Sequence, residues 1–380
     1  MSDVEFKINR IRKTLKDRIE PDRIPIHDFF WEEFLDRWTK EMGLPSDTNI
    51  YKYYDMDMMV ISANWEPKIS QVKLIEKTDD YIMYEDGFGA VIKKYKHAPM
   101  QQYLNFKYKD IESLKKFEYD NPLDDKRYSS SLNIVSKGKA IEIPSFNEQV
   151  KSFKNKFCIF ASVCEGYEAI WRIHSPESSL MNMVLNQEDF KKEVERIGEF
   201  MKIIGVKQLQ TPGVNGVVIW GDIAYKNGML FSPNLWRKIF KPVLKNMILS
   251  FKEYNVPIIY HGCGNSKEIL EDLIEVGIDA YHTLEVKAGM DVVELKRKYK
   301  NKLAYLGNID ALNVLPGSKD NIKKDLLYRL NAAKGGGFMP GADHSVPGNV
   351  SAENYDYFIS LIKDYGRYPL NLGECDIDMD

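Results

Sequence analysis

The stretch "VPIIYHGCGNSKEILEDLIEVGIDAYHTLE", residues 256–285, decides the fold. It opens on a short apolar run, passes through an amphipathic segment and closes on a second short apolar run. Two short strands joined by a helix form a βαβ unit, whose strands pair in parallel. The rhythm continues in both directions. "FCIFASV", "VNGVVIWGD", "LAYLGNID" and "GGGFMPGADH" read as buried strands. "EDFKKEVERIGEFMKIIG", "LWRKIFKPVLKNMILSFKEY", "DVVELKRKY" and "NIKKDLLYRLNAA" read as amphipathic helices between them. Continuous apolar strands alternating with helices make a parallel sheet covered by helices. At least six such units over residues 157–365 predict a (β/α)8 TIM barrel. A doubly wound sheet is the alternative, but no glycine-rich phosphate loop follows any strand. Pro242 falls inside a helix pattern and predicts a kink there.

Upstream the pattern differs. "HDFFWEEFLDRWTKEMG" (27–43) reads as a helix with Phe30, Phe34 and Trp38 on one face, stopped by Gly43 and Pro45. "QVKLIEKTDDYIMYEDGFGAVIKKYK" (71–96) alternates, with turns at Asp79–Asp80 and at "DGFG". It predicts a small antiparallel β excursion that acts as a flap. Residues 110–156 read as surface helices and loops. The expected organisation is one TIM-barrel domain over 1–380, with an N-terminal helical segment over 1–56.

The 380 residues are 44% hydrophobic, enough for a large core, and the net charge of −3 is spread along the chain. That composition gives neither a nucleic-acid groove nor a polybasic membrane surface. The first residues, "MSDVEFKINRIRKTLKDRIE", lack the apolar centre of a signal peptide. No apolar run approaches the ~20 residues of a membrane span. The chain reads as soluble and cytoplasmic. Its four cysteines, Cys158, Cys164, Cys263 and Cys375, form no disulfide framework.

A barrel carries its active site at the C-terminal ends of its strands. The expected strand ends here are polar: Cys164 and Glu165; Trp220 and Asp222; His261 and Cys263; His282 and Glu285; Asn308 and Asp310; Asp343 and His344. Each has a structural reading too. An Asp after a strand often caps the next helix, Asn265 with Glu268 resembles a capping box, and a lone Cys is usually packing. For His261 and Cys263 the choice lies between a tight turn and a metal site. Residues i and i+2 of an extended segment point the same way, and zinc accepts a mixed nitrogen–sulfur pair. Glu285, at the end of the next strand, is placed to reach the same point.

These residues resemble the uroporphyrinogen decarboxylase superfamily, in its branch of corrinoid-linked methyltransferases. "WGDIAYKNGMLFSPNLWRKIFKPVLKNM" looks like the family's strand, loop and helix ending in S-P-x-x-[WF]-x-x-[FY]-x-x-P. "IIYHGCGN" is similar to the H-x-C-G-N zinc motif of that branch, "YLGNIDA" resembles the G-N-x-D segment, and "GGGFMPGADHSVPGNVSAENY" looks like the last strand and helix start. The resemblance implies a TIM barrel with Zn2+ on His261, Cys263 and Glu285, and with Asp222, Asp310 and His344 to protonate or anchor substrate. It implies a corrinoid (cobalamin) carried by a partner protein, and relatives of this kind often dimerise. Two features depart from the pattern. The M-R-Q-A-G-R run that grips porphyrinogen carboxylates is missing, and Arg23 and Arg37 stand at the wrong spacing. The second cysteine of thiol-methylating relatives is replaced by Gly335-Gly336-Gly337, leaving His344 as the nearest fourth ligand. A shell with one thiolate makes a harder Lewis acid, suited to an oxygen donor. The expected function is therefore transfer of a methyl group between a small, O-methylated donor and a corrinoid protein. Aromatic Phe29, Phe30 and Trp31 and the flap are expected to roof an apolar pocket. A methylcobalamin:thiol methyltransferase, a metal-free lyase using Asp57, Asp222 and His344, and a non-catalytic binding barrel are the alternatives.

Overall fold

Seven parallel strands form one curled sheet, in chain order, in the computed structural model, which describes every residue except 1, 97, 99, 137, 138 and 380. They are β1 (Met58–Val60), β2 (Cys158–Cys164), β3 (Val214–Trp220), β4 (Ile258–Gly262), β5 (Ala280–Thr283), β6 (Ala304–Ile309) and β7 (Phe338–Ala342). Each expected strand from 157 onward is present. Side chains alternate between two cores. Met58, Phe160, Val218, Ile259, Ala280, Leu306 and Met339 fill the inside of the sheet. Ile159, Val217, Ile258, Tyr281 and Tyr305 face the surrounding helices. This period of two is why apolar runs without polar interruption were needed: both faces are covered.

The sheet is TIM-barrel-like, and its eighth position is taken by residues 24–30. This segment bridges the outer strands without a regular ladder. The Asp57 N–H donates to Ile26 O at 2.8 Å, and the Ile26 N–H donates to the Asp57 carboxylate at 2.7 Å. On the other edge the Ala342 N–H donates to the Asp28 carboxylate at 3.1 Å, and the Val346 N–H to Phe29 O at 2.8 Å. Two aspartate side chains thus stand in for backbone acceptors, so the segment carries no strand periodicity. The helix Asp3–Arg12 and the turn after it send Ile11 and Leu15 into the N-terminal end of the barrel as a plug.

Several expectations shift in detail. The helix of the 27–43 stretch covers Glu32–Glu41, with Phe34 and Trp38 fully buried. Phe30 precedes it and packs on Phe34, Tyr51 and Tyr355, so it belongs to the core rather than to a pocket roof. The β excursion is larger than 71–96. Its strands Lys73–Lys77, Tyr81–Glu85 and Ala90–Tyr95 are joined by a fourth, Gln102–Phe106. The 110–156 region also holds an antiparallel hairpin, Leu132–Ser136 with Lys139–Ile143. The helix containing Pro242 is split into Pro233–Ile239 and Lys241–Lys252, because the proline ring tolerates only a first-turn position. Asn265 and Glu268 form no capping box: Ser266 is the cap residue, and its hydroxyl bonds to Tyr281 instead. No helix among the described residues is long and apolar enough to cross a membrane.

Candidate active site

The inward series of β4 runs Ile259, His261, Cys263, so alternation alone carries both polar side chains to the C-terminal mouth. His261 Nε2 lies 3.6 Å from Cys263 Sγ and 3.6 Å from Asp222 Oδ1. The Asp222 carboxylate also accepts from the Cys263 N–H at 2.9 Å, tying the β3 loop to the β4 loop. Two donor groups share Cys263: Asp222, His261 and Cys263, and Cys263, Glu285 and His344. Within each, the ligand atoms lie within 4.8 Å of one another. Of the expected residues, the structure therefore gathers Asp222 and His261 on one side of Cys263 and Glu285 and His344 on the other; the expected zinc trio of His261, Cys263 and Glu285 is split between these two groups.

Asp310 is not among them. Its carboxylate accepts from the N–H groups of Leu312 and Asn313 at 2.9 and 2.8 Å and from the Asn313 amide. That is capping geometry, the structural reading of an Asp after a strand. The neighbouring Asn308 explains the G-N-x-D segment. Gly307 has φ 98°, and a Cβ there would sit 2.2 Å from Thr283 O. The fully buried Asn308 donates its amide to Leu284 O at 2.6 Å and to Met290 O, and accepts from the Val292 N–H at 2.9 Å. The segment pins the loop that carries Glu285. Asp343 pins it again, accepting from Val286 N–H and Ala311 N–H at 2.9 Å each.

The charges at this mouth are mostly acceptors. Burial pushes the His261 imidazole down to about 4 and His282 well below its usual range, so both rings are neutral. Burial, with Asp222 and Glu285 close by, pushes the Cys263 thiol far up. Lys287 reaches Glu285 at 3.3 Å, and the Gly264 N–H donates to the same carboxylate at 3.1 Å. With Lys287 at their edge, the two groups hold a thiol, two carboxylates and two neutral imidazoles, and a divalent ion with mixed N/S/O preference would add positive charge among them. The donor set fits zinc.

A cavity of about 500 Å³ opens beside this cluster and meets it at Asp222. The β excursion contributes Lys94, Met100 and Tyr103; the helix Gly166–His174 contributes Tyr167, Glu168, Trp171 and Arg172. The flap thus does lie over a pocket, from strands Ala90–Tyr95 and Gln102–Phe106. Arg172 donates to Tyr103 Oη at 2.9 Å and pairs with Glu168, whose pKa burial raises. Phe29 and Trp31 stand beside the histidines of the mouth instead: Phe29 packs on Trp220 and His282, and Trp31 stacks on His344. Glu168 and Arg172 were missed by sequence reasoning. Their signal was an acidic and a basic residue four apart, in a helix that starts directly after β2.

The arginines that would grip porphyrinogen carboxylates are engaged elsewhere. Arg23 donates to Asp57 at 2.8 Å at the N-terminal end of the barrel. Arg37 pairs with Glu41 at 2.5 Å on a surface helix. Asp57 is buried at that N-terminal end too, which separates it from Asp222 and His344 and leaves the expected lyase trio unassembled.

A family model described as Uroporphyrinogen decarboxylase (URO-D) matches residues 162–365. Among curated proteins, the uroporphyrinogen decarboxylase of Hydrogenobaculum sp. is 26% identical over 194 residues, 49% of this chain and 52% of that protein. Uroporphyrinogen decarboxylase 2, chloroplastic, of Oryza sativa subsp. japonica is 28% identical over 134 residues, 35% of this chain and 33% of that protein. The matched stretch thus spans about half, or less, of each relative's length. Among solved structures, a methyltransferase from Methanosarcina mazei superposes with a TM-score of 0.67 at 16% identity, over 94% of this chain and 98% of that one. That likeness shows the shared fold.

Proposed function

Because the chain belongs to the uroporphyrinogen decarboxylase family, we propose that it puts that family's barrel to use as a zinc-dependent methyltransferase, moving a methyl group from a small O-methylated donor to a corrinoid carried by a partner protein. One observation carries this reading: two donor groups, Asp222 with His261 and Glu285 with His344, share Cys263 at the barrel mouth beside an aromatic-walled cavity. His261, Cys263 and Glu285 would hold the ion, with His344 or Asp222 completing the set. When bound, zinc supplies a Lewis acid that polarises a donor oxygen.

The remaining work falls to the chain's own residues. Tyr103, Tyr167 and Trp171 line the cavity, and this aromatic wall supports an aryl methyl ether as the donor. The flap would screen that side from water, while the barrel mouth would admit the bulky acceptor. When the methyl leaves, the electron pair of the broken C–O bond stays on oxygen, which then takes a proton. Glu168 and Asp222 are the carboxyls facing the cavity, and burial favours the protonated form of Glu168. Glu168 would deliver that proton. The decarboxylase reading gains nothing from Arg23 and Arg37, which pair with Asp57 and Glu41, and the arginine that does line the cavity, Arg172, is paired with Glu168.

The test is metal content of the dialysed protein beside a Cys263→Ser variant, followed by transfer from a panel of methoxyarenes to reduced cobalamin, read by its absorbance. One zinc per chain that the variant loses, with transfer strongly reduced in the variant, is the expected result. A wild type without zinc would sink the proposal and favour a metal-free lyase.

A further inference from the structure

Strand β5 places a buried histidine directly behind the donor cluster. The parallel register sets His282 beside His261, and their Nδ1 atoms lie 2.7 Å apart. The ring centroids are 4.8 Å apart at 49°. Aromatic neighbours clamp the pair: Trp220 meets His261 edge-on at 4.5 Å, and Phe29 lies 5.3 Å from His282. At 2.7 Å two ring nitrogens share one hydrogen, so one ring donates and the other accepts. His261 turns its other nitrogen, Nε2, toward Cys263 Sγ and Asp222 Oδ1, at 3.6 Å each. A nitrogen that binds a cation cannot also carry a proton. The His261 proton must then sit on Nδ1, and His282 must accept it there.

We propose that His282 is a positioning residue that fixes the Nδ1–H tautomer and the ring orientation of His261, so that Nε2 is presented bare to the metal. This rests on the zinc reading above. It adds a partner outside the ligand set, one that is an imidazole rather than the usual carboxylate or carbonyl. An imidazole accepts the hydrogen without adding negative charge to a site already rich in carboxylates.

The experiment titrates zinc alone into the metal-stripped full chain, in competition with a chromophoric chelator, for the wild type, His282→Phe, His282→Asn and His261→Ala. His282→Phe keeps a ring of similar size but cannot accept, and it should weaken zinc binding roughly 10–100-fold. His282→Asn offers a carbonyl oxygen to the same N–H and should recover most of that loss. Nitrogen-15 spectra of the zinc-loaded wild type should show His261 protonated at Nδ1, a measurement that needs no variant to fold. If His282→Phe binds zinc like the wild type while His261→Ala does not, the positioning role falls and the zinc reading stands. Equal losses in Phe and Asn variants would overturn the acceptor role in favour of packing. A wild type that takes up no zinc overturns both.

Discussion

Both ends of the barrel gather buried polar side chains, and they differ in how those groups are matched. At the N-terminal end the fully buried Asp57 accepts from Arg10, from Arg23 at 2.8 Å and from the Ile26 N–H at 2.7 Å, while Arg10 also reaches Asp22 at 2.5 Å. Cations and anions are balanced within the chain, and hydrogen bonds to Asp22 and the charge of Asp57 push the Arg10 guanidinium up despite its burial. At the C-terminal end Asp222 with His261, and Glu285 with His344, gather acceptors in two groups that share Cys263, with Lys287 as a cation at the edge. A cluster closed by its own partners is part of the scaffold. A cluster of converging acceptors is arranged for something the chain does not supply.

The contrast is most easily broken by mutation at each end. Asp57→Ala leaves Arg10 and Arg23 without their shared carboxylate and should cost about 3–5 kcal/mol in urea unfolding, while zinc uptake per folded chain stays unchanged. If zinc uptake fell instead, the two ends would not be separable. Cys263→Ser should do the reverse, dropping methyl transfer by about 100-fold, equivalent to ~2.7 kcal/mol, with little change in the unfolding midpoint of the metal-free protein.

A smaller effect would sharpen the picture of the mouth. Glu165 follows β2 beside the cluster, fully buried, with Oε1 capping the next helix and Oε2 meeting no partner among the described residues. Burial pushes its carboxyl up to about 8. A carboxyl raised in the folded state gives its full stability below the unfolded value near 4.5 and loses it as pH rises toward 8. Glu165→Gln mimics the protonated form. It should match the wild type at pH 4 and exceed it at pH 9, in paired denaturation curves. A wild-type curve with no fall in stability between those pH values would contradict the raised pKa. At the bottom of the scale, Cys375→Ser in the part-exposed C-terminal turn should change stability by less than about 0.5 kcal/mol and leave zinc binding untouched.

What the sequence determined was local. The period of two in "VPIIYHG" put His261 and Cys263 on the inner face, and the βα rhythm from 157 onward placed six of the seven parallel strands. Gly307-Asn308 was legible as a motif, but its job of pinning the Glu285 loop was not, because that job lies in hydrogen bonds to residues on another strand's loop. The rest depended on closure of the barrel. Residues 24–30 fill its eighth position through the side chains of Asp28 and Asp57, which leave no periodic trace. Asp310 turned inward to its own loop, while Asp222 and His344, 122 positions apart, came to share a mouth. His282 gained a partner only when β5 paired with β4 in register. Side-chain direction along a strand follows from backbone geometry and can be read residue by residue; which strand ends meet is set by long-range packing of the whole sheet, and that exists only in the folded chain.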